Sequence, residues 1–134
     1  MDLRGGAAGS TKNEVKLNMY DLSQGMAKTM SKQLIGKQMD GIWHTGLCVF
    51  GKEYYYGSGI SADPVGQTPF GTPTKTISLG VTDVTSEAFL KYLKEKQDVW
   101  TEPKYEIENH NCNHFSDAAS KFLLFKGIPA DIVG

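Results

Sequence analysis

The sequence predicts a single domain of the α+β class. Its 134 residues are the length of one hydrophobic core, and 40% hydrophobic with 22% charged residues is the composition of a folded globular protein. Segments with the two-residue alternation of strands are interspersed with segments that have helical spacing. Two of the predicted strands are joined by a tight hairpin turn, which excludes a purely parallel sheet and favours an α+β fold with antiparallel strands.

Residues 1–13 are expected to form a flexible tail, since MDLRGGAAGSTKN is rich in small and polar residues. The folded domain is therefore expected to occupy residues 14–134. Its first strand is predicted where apolar residues alternate with polar ones, at Val15, Leu17 and Met19. A helix capped by Asp21 or Ser23 is expected to follow, because its apolar residues recur every four positions, at Met26, Met30 and Leu34.

The middle of the chain is predicted to form a β-hairpin. Trp43 to Phe50 and Glu53 to Tyr56 flank Gly51-Lys52, a glycine-first pair suited to a tight turn. Alternation places Tyr55 on the opposite face from its two tyrosine neighbours, so these rings are expected to pack on the sheet.

Glycine and proline are frequent in residues 58–73, which are expected to be a long surface loop. A short strand is predicted from Lys75 to Leu79. Residues 104–108 alternate again, with Tyr105 and Ile107 on one side, as in a strand.

Two helices are predicted in the second half of the chain. Thr85 is expected to cap a helix from Ser86 to Gln97, and Asn111 is expected to cap one from Cys112 to Phe125. Gly127 is suited to the C-cap of the second helix.

The charge balance excludes several classes of partner. The 14 Lys and Arg residues nearly match the 15 Asp and Glu residues, which gives no electrostatic reason to expect nucleic acid or an anionic membrane. No apolar run approaches the ~18 residues that a membrane span needs, and residues 1–14 lack the apolar core of a signal peptide. With two cysteines and no export signal, we expect an intracellular protein, cytoplasmic or nuclear, with reduced thiols.

Cys112 is the best candidate for a catalytic nucleophile. It is predicted to begin a helix, where unpaired N–H groups and the helix dipole favour an anion. Such a position can lower a thiol pKa from about 8.5 into the range ~3.5–7.5, and the thiolate is the nucleophile. The alternative is a buried, inert cysteine, although the run His-Asn-Cys-Asn-His is polar for a core segment.

Three histidines are candidates for the imidazole that a thiolate nucleophile needs. His114 lies two residues along the predicted helix and is expected to point away from Cys112. His110 precedes the helix in a geometry that the sequence leaves open. His44 is expected on a rigid strand, and a strand base facing a nucleophile at a helix start is the arrangement that cysteine proteases use. The alternative for His44 is an ordinary structural histidine.

A disulfide and a metal site are the other options for these residues. Cys48 is expected in the strand core about 13 Å from His44, and a reducing compartment disfavours its pairing with Cys112. His110, Cys112 and His114 do not have a standard zinc spacing, so no metal and no other cofactor is expected.

The sequence resembles the PPPDE family, the permuted papain-fold peptidases that include the desumoylating isopeptidases. The matching stretches run in family order: VKLNMYDLSQGMA (15–27), GIWHTGLCVFGKEYYYGSGI (41–60), GQTPFGTP (66–73), LGVTD (79–83), NHNCNHFSD (109–117) and KGIP (126–129). The resemblance implies a circularly permuted papain-like α+β core with the catalytic cysteine at a helix N-terminus. It also implies that His44 and Cys112 form a catalytic dyad. A homodimer and a further short segment beyond Gly134 are family-level expectations.

The sequence therefore predicts a cysteine isopeptidase that removes SUMO or ubiquitin from conjugated proteins. An oxyanion needs at least two donors, and the Cys112 backbone N–H is a candidate for one of them. Asn111, Asn113 and Trp43 are candidates for the second donor or for a groove contact. Two other functions stay open at this point. One is a protein S-acyl thioesterase (a depalmitoylase) with the same dyad, and the other is a non-catalytic binding module for ubiquitin-like proteins.

Overall fold

The computed structural model describes residues 12–22 and 43–133. Within these ranges the chain forms a five-stranded antiparallel sheet, three α-helices and one 3₁₀ turn, which confirms the α+β class. The helix predicted after Asp21 or Ser23 and most of the predicted tail lie outside the described residues.

The five strands alternate in direction. They are β1 (Asn13–Asp21), β2 (Trp43–Val49), β3 (Lys52–Tyr56), β4 (Ile60–Pro64) and β5 (Lys75–Thr82). Their order across the sheet is β4-β3-β2-β1-β5. The predicted first strand and hairpin are confirmed, and β5 extends three residues beyond its predicted end at Leu79.

The hairpin turn lies one residue earlier than predicted. Val49 pairs with Lys52, so Phe50 and Gly51 form the two-residue loop, and both have positive φ angles, 55° and 79°. Such a loop matches the right-handed twist of the flanking strands. Glycine adopts this conformation without steric cost, whereas a phenylalanine does so only when the hairpin imposes it.

Two predictions for irregular segments are wrong. The loop predicted over residues 58–73 contains β4, which pairs along β3 and covers its open edge. Residues 104–108 are not a strand: Pro103 is the second residue of a 3₁₀ turn at Glu102–Lys104, and a single bridge then joins Glu106 to His110. Proline has no N–H to donate to a strand partner, and its fixed φ suits the first residues of a helical turn.

The helices are α1 (Ser86–Glu95), α2 (Cys112–Leu124) and α3 (Ala130–Val133). Thr85 and Asn111 cap the first two as predicted. Phe125 takes the left-handed C-cap of α2 in place of Gly127, where a Cβ would meet Asp117 Oδ1 at 2.0 Å. Among the described helices, none is long and apolar enough to cross a membrane.

The sheet has two faces with different contents. The first face packs against α1 and α2 in an apolar core that includes Val15, Leu17, Leu47, Tyr54, Tyr56, Phe89, Phe115 and Leu123. Alternation puts a second, more polar set on the opposite face: Asn18, Tyr20, His44, Gly46, Cys48, Glu53 and Tyr55. The tyrosine run divides as predicted, since Tyr54 packs on Phe89 and Tyr55 faces His44.

Glu53 is fully buried at the centre of this second face. Its carboxylate accepts hydrogen bonds from Asn18 Nδ2 at 2.9 Å, the Tyr20 hydroxyl at 2.6 Å and the Gly66 backbone N–H at 3.0 Å. The side chain lies across Gly46, where a Cβ would meet Glu53 Oε2 at 2.2 Å. A buried carboxylate requires such donors, and only glycine leaves room for it on β2.

We predict that Gly46→Ala lowers the free energy of unfolding by about 1–3 kcal/mol, because the added methyl group must displace a hydrogen-bonded carboxylate. Urea denaturation of both variants measures the loss. Gly57→Ala is the matched control, since a Cβ there meets nothing within 4 Å. Equal stability of the two variants would contradict the packing of Glu53 on Gly46.

Candidate active site

Cys112 is the first residue of α2 and is buried. Asn111 Oδ1 accepts hydrogen bonds from the backbone N–H groups of Asn113 at 2.9 Å and His114 at 3.2 Å. His114 Nδ1 accepts in return from the Asn111 N–H at 3.1 Å, which completes a capping box. The helix start is therefore rigid and holds the thiol in one place.

Side-chain hydrogen bonds hold the start of α2 against β2. The Thr45 hydroxyl donates to Asn113 Oδ1 at 2.8 Å and lies 2.9 Å from the Ser116 hydroxyl. Asn113 Nδ2 donates to the Trp43 carbonyl at 3.2 Å. These three contacts set the position of Cys112 relative to the strand that carries His44.

β2 and β3 separate where α2 meets them. Within the described strands their pairing runs over Leu47 to Val49 of β2 and does not extend to the Trp43–Gly46 part of that strand. The first residue of α2 lies at this opening. His44 and Cys112 consequently line one cavity of about 330 Å³, although His44 belongs to the face turned away from α2. The rest of its wall comprises Leu22, Tyr56, Gly57, Phe70, Glu102 and Tyr105.

His44 is enclosed by aromatic rings. Phe70 stacks on the imidazole with ring centres 3.6 Å apart and an angle of 21°, and the rings of Tyr20 and Tyr55 lie at 5.6 and 5.9 Å. His44 Nε2 is buried and has no hydrogen-bond partner among the described residues. Burial lowers the pKa of His44 to about 4. The imidazole is therefore neutral at pH 7 and has a nitrogen free to take a proton.

The loop that carries Phe70 is held at its base and exposed at its tip. Its first residue, Gly66, donates to Glu53, and Thr68 accepts from the Phe70 N–H at 3.2 Å and from the Gly71 N–H at 3.1 Å. Thr68 is buried, whereas Phe70 is 36% exposed. The loop thus places one partly exposed ring over the imidazole.

Two opposing effects act on the pKa of the Cys112 thiol. Burial raises the pKa of the thiol, while hydrogen bonds from the Thr45 backbone N–H, the Tyr105 hydroxyl and the N–H groups at the start of α2 lower it. The burial effect is the larger one. The expected lowering of the pKa is therefore wrong for this conformation, because helix-terminal donors do not compensate for lost water.

The two groups are uncharged at rest and no hydrogen bond joins them. The arrangement differs from a preformed thiolate–imidazolium pair. A thiol that attacks from this state would have to pass its proton to a base during the attack, and a dry cavity is where a resulting ion pair attracts most strongly.

The other predicted oxyanion and groove candidates are engaged elsewhere. The Asn111 side chain caps α2 and donates from Nδ2 to the Ile107 carbonyl at 2.7 Å. Asn113 Nδ2 donates to the carbonyl of Trp43, and its Oδ1 accepts from Thr45 and, at 3.8 Å, from the Cys112 thiol. Their contacts give these three residues the task of positioning α2.

His110 and Cys48 both lie in structural contacts. His110 stacks on Trp100 with ring centres 4.3 Å apart, and its Nε2 lies 2.8 Å from the Val99 carbonyl. Cys48 is buried and free, as predicted, and burial raises its pKa to about 12. Within the described residues, no three His, Cys, Asp or Glu side chains group as metal ligands.

Sequence reasoning missed three residues of the site. An acidic residue within the strand-forming run at Glu53 was a signal for a buried network. Phe70 and Tyr105 gave no local signal, because a loop phenylalanine and a solitary tyrosine have many uses. Their contacts with His44 and Cys112 depend on residues distant in the sequence.

A thiol at a helix start and an imidazole in one cavity is the arrangement that cysteine peptidases use. The chain matches the family described as "PPPDE putative peptidase domain" over residues 13–134, and it belongs to that family. Desumoylating isopeptidase 1 of Xenopus laevis is 42% identical over 120 residues, which are 88% of this chain and 71% of the relative. The Homo sapiens protein of that name gives the same figures. The Desumoylating isopeptidase 1 homolog of Caenorhabditis elegans is 31% identical over 142 residues, covering 96% of this chain and 39% of the relative.

We predict that His44 titrates at about pH 4 and that Phe70→Ala moves this pKa toward the ~6.5 of a free imidazole, because water then reaches the ring. NMR titration of the imidazole protons measures both values. An unchanged His44 pKa in Phe70→Ala would mean that Phe70 does not exclude water from the ring.

The same shift affects stability with a defined sign. The folded pKa of His44 lies below the unfolded value near 6.5, so the unfolded chain binds more protons in between. The contribution of neutral His44 to the free energy of unfolding is present above pH ~6.5 and is lost as the pH falls to about 4. A His44→Gln variant should lack this part of the decline in the free energy of unfolding.

We predict that Cys112 reacts with iodoacetamide only at a higher pH than a free thiol, which is half ionised near pH ~8.5, because burial raises its pKa. Mass spectrometry of the alkylated Cys48→Ser protein follows the rate against pH at this one remaining thiol. A plateau reached well below pH 8 would contradict the uncharged resting thiol.

Proposed function

We propose that this chain is a cysteine isopeptidase that removes SUMO from conjugated proteins, with Cys112 as nucleophile and His44 as base. The observation that carries the proposal is the shared cavity of these two side chains, with the thiol fixed at the capped start of α2. The names of the relatives, desumoylating isopeptidase 1, support SUMO as the modifier.

In the first step the Cys112 sulfur attacks the carbonyl carbon at the C-terminal glycine of the modifier. The thiol proton passes to His44, a C–S bond forms, and the carbonyl π electrons move to the oxygen. His44 is suited to accept this proton because it is neutral at pH 7 and its Nε2 has no partner among the described residues.

In the second step the tetrahedral intermediate collapses. The C–N bond to the substrate lysine breaks, and the imidazolium of His44 gives its proton to the departing amine. Water, activated by the same imidazole, then hydrolyses the thioester and releases the modifier and the free thiol. The protons balance through His44, because the proton taken from Cys112 leaves with the amine and the proton taken from water is given to the departing sulfur.

We propose further that the domain is a circularly permuted papain-like fold. The histidine strand β2 precedes the cysteine helix α2 in the chain, the reverse of the papain order, while the helix start still faces the strand. The five-stranded antiparallel sheet beside α2 is consistent with such a core.

A protein S-acyl thioesterase is the second candidate, and one observation favours it. Leu22, Tyr56 and Phe70 give the cavity an apolar wall beside the thiol. A thioester also needs less help for its leaving group than an amide does. A non-catalytic binding module is less well supported, because Cys112 is a free thiol in the cavity.

The proposal predicts that the protein cleaves a SUMO–lysine conjugate and that Cys112→Ser and His44→Ala each reduce the rate by at least about 10³-fold, because each removes a member of one unit. Gel analysis of conjugate cleavage measures the rates. Thermal unfolding of each variant shows whether the fold is kept.

Cys48→Ser is the matched control, since a hydroxyl there still reaches Glu53 and the residue lies away from the cavity wall. It should retain nearly full activity. SUMO and ubiquitin with electrophilic C-termini and an S-acyl peptide are tested in parallel. Faster reaction with ubiquitin or the S-acyl peptide would replace SUMO in the proposal, and an inactive Cys48→Ser would reverse the assignment of the thiols.

A further inference from the structure

Tyr105 contacts the sulfur of the proposed nucleophile. Its hydroxyl lies within hydrogen-bonding reach of the Cys112 side chain, and both residues line the 330 Å³ cavity, while the thiol itself donates to Asn113 Oδ1 at 3.8 Å. Tyr105 supplies the side-chain hydroxyl among the donors at this sulfur, beside backbone N–H groups of Thr45, Asn113 and Cys112 itself. A hydroxyl so close to the reacting atom is in a position to take part in the reaction.

The chain conformation around Tyr105 is closely determined. Tyr105 ends the 3₁₀ turn, with its N–H bonded to the Glu102 carbonyl at 3.1 Å. The reciprocal bonds between Glu106 and His110, at 3.0 and 2.9 Å, close the next residues into a narrow loop that leads directly to the start of α2. Tyr105 and Cys112 are thereby brought together.

The ring of Tyr105 is also supported from the side. It packs on Tyr56 with ring centres 5.0 Å apart, and Tyr56 is itself fixed by a hydrogen bond from its hydroxyl to the Thr101 carbonyl at 2.6 Å. Tyr56 continues into the core through Trp100 and Phe115. The Tyr105 ring is thus held in the cavity wall by an aromatic stack that reaches into the core.

We propose that Tyr105 is a catalytic residue that donates the second hydrogen bond to the oxyanion formed when Cys112 attacks a carbonyl. The inference rests on the proposed function, since it needs Cys112 to be an acyl-transfer nucleophile. The oxyanion is two bonds from the sulfur, so a hydroxyl on the sulfur reaches the oxygen with a small rotation. No proton is transferred: the hydroxyl keeps its hydrogen while the charge develops and disappears.

The side-chain amides near the thiol are already engaged, which leaves Tyr105 as the side-chain donor for this place. Asn111 Nδ2 is bonded to the Ile107 carbonyl, and Asn113 Nδ2 to the Trp43 carbonyl. Burial and the adjacent Cys112 raise the pKa of Tyr105 to about 12, so the hydroxyl stays protonated and available as a donor throughout the physiological range.

The test compares Tyr105→Phe with the wild-type protein on two reactions of Cys112. Hydrolysis of p-nitrophenyl acetate passes through an oxyanion and needs no SUMO recognition, whereas alkylation by iodoacetamide forms no oxyanion. We expect Tyr105→Phe to lower kcat for the ester by about 10²-fold with little change in KM. Alkylation should slow by only a few fold, because that reaction loses only the bond to the sulfur.

Two controls make the result specific. Tyr92→Phe removes a hydroxyl that contacts Ala118 on α2, away from the cavity, and should keep its ester hydrolysis. Cleavage of the SUMO conjugate is measured beside the ester in every variant. Ester turnover without SUMO cleavage would refute SUMO as substrate but leave the role of Tyr105 supported if the 10²-fold loss is seen.

Three outcomes overturn the inference. The first is full ester turnover by Tyr105→Phe. The second is an equal loss in hydrolysis and alkylation, which would assign Tyr105 to the thiol alone. The third is the absence of any Cys112-dependent ester hydrolysis in the wild-type protein.

Discussion

The buried carboxylate of Glu53 is the constraint on which the histidine face of the sheet depends. A carboxylate without water is costly unless several donors surround it, and here those donors are uncharged groups on β1 and at Gly66. The carboxylate therefore holds both Tyr20, whose ring lies beside His44, and the base of the loop that carries Phe70. Gly46 completes the arrangement by leaving the space that the glutamate side chain crosses.

The two central side chains of a site enclosed in this way are uncharged at rest. The pKa of His44, lowered from 6.5 to about 4, disfavours its charged form by roughly 3 kcal/mol, and burial also keeps the Cys112 thiol protonated. A neutral thiol reacts slowly with oxidants and alkylating agents. The same burial that suppresses these side reactions strengthens every electrostatic contact within the cavity once charge has developed.

Local patterns in the sequence predicted most of the framework and favoured His44 and Cys112, which the structure places in one cavity. Alternation revealed β1, and the glycine-first turn revealed the hairpin of β2 and β3. An Asn and a Thr marked the helix starts, and the polar setting of Cys112 at a helix start singled it out. The strand β4 was missed because glycine and proline obscured a five-residue pairing that only its neighbour β3 makes favourable. Tyr105, Phe70 and the pKa of Cys112 depend on contacts across the sheet or on total burial, which residue spacing does not encode.

The competition at the Cys112 sulfur explains why a raised thiol pKa is compatible with catalysis. Donors from the start of α2, from Thr45 and from Tyr105 converge on one atom that carries no full charge at rest. In the proposed reaction their strongest interaction is reserved for the negative charge that attack would create, first at sulfur and then at oxygen. Stabilisation withheld from the ground state and delivered as charge develops lowers a barrier, whereas a thiolate already satisfied by the same donors would gain less from them.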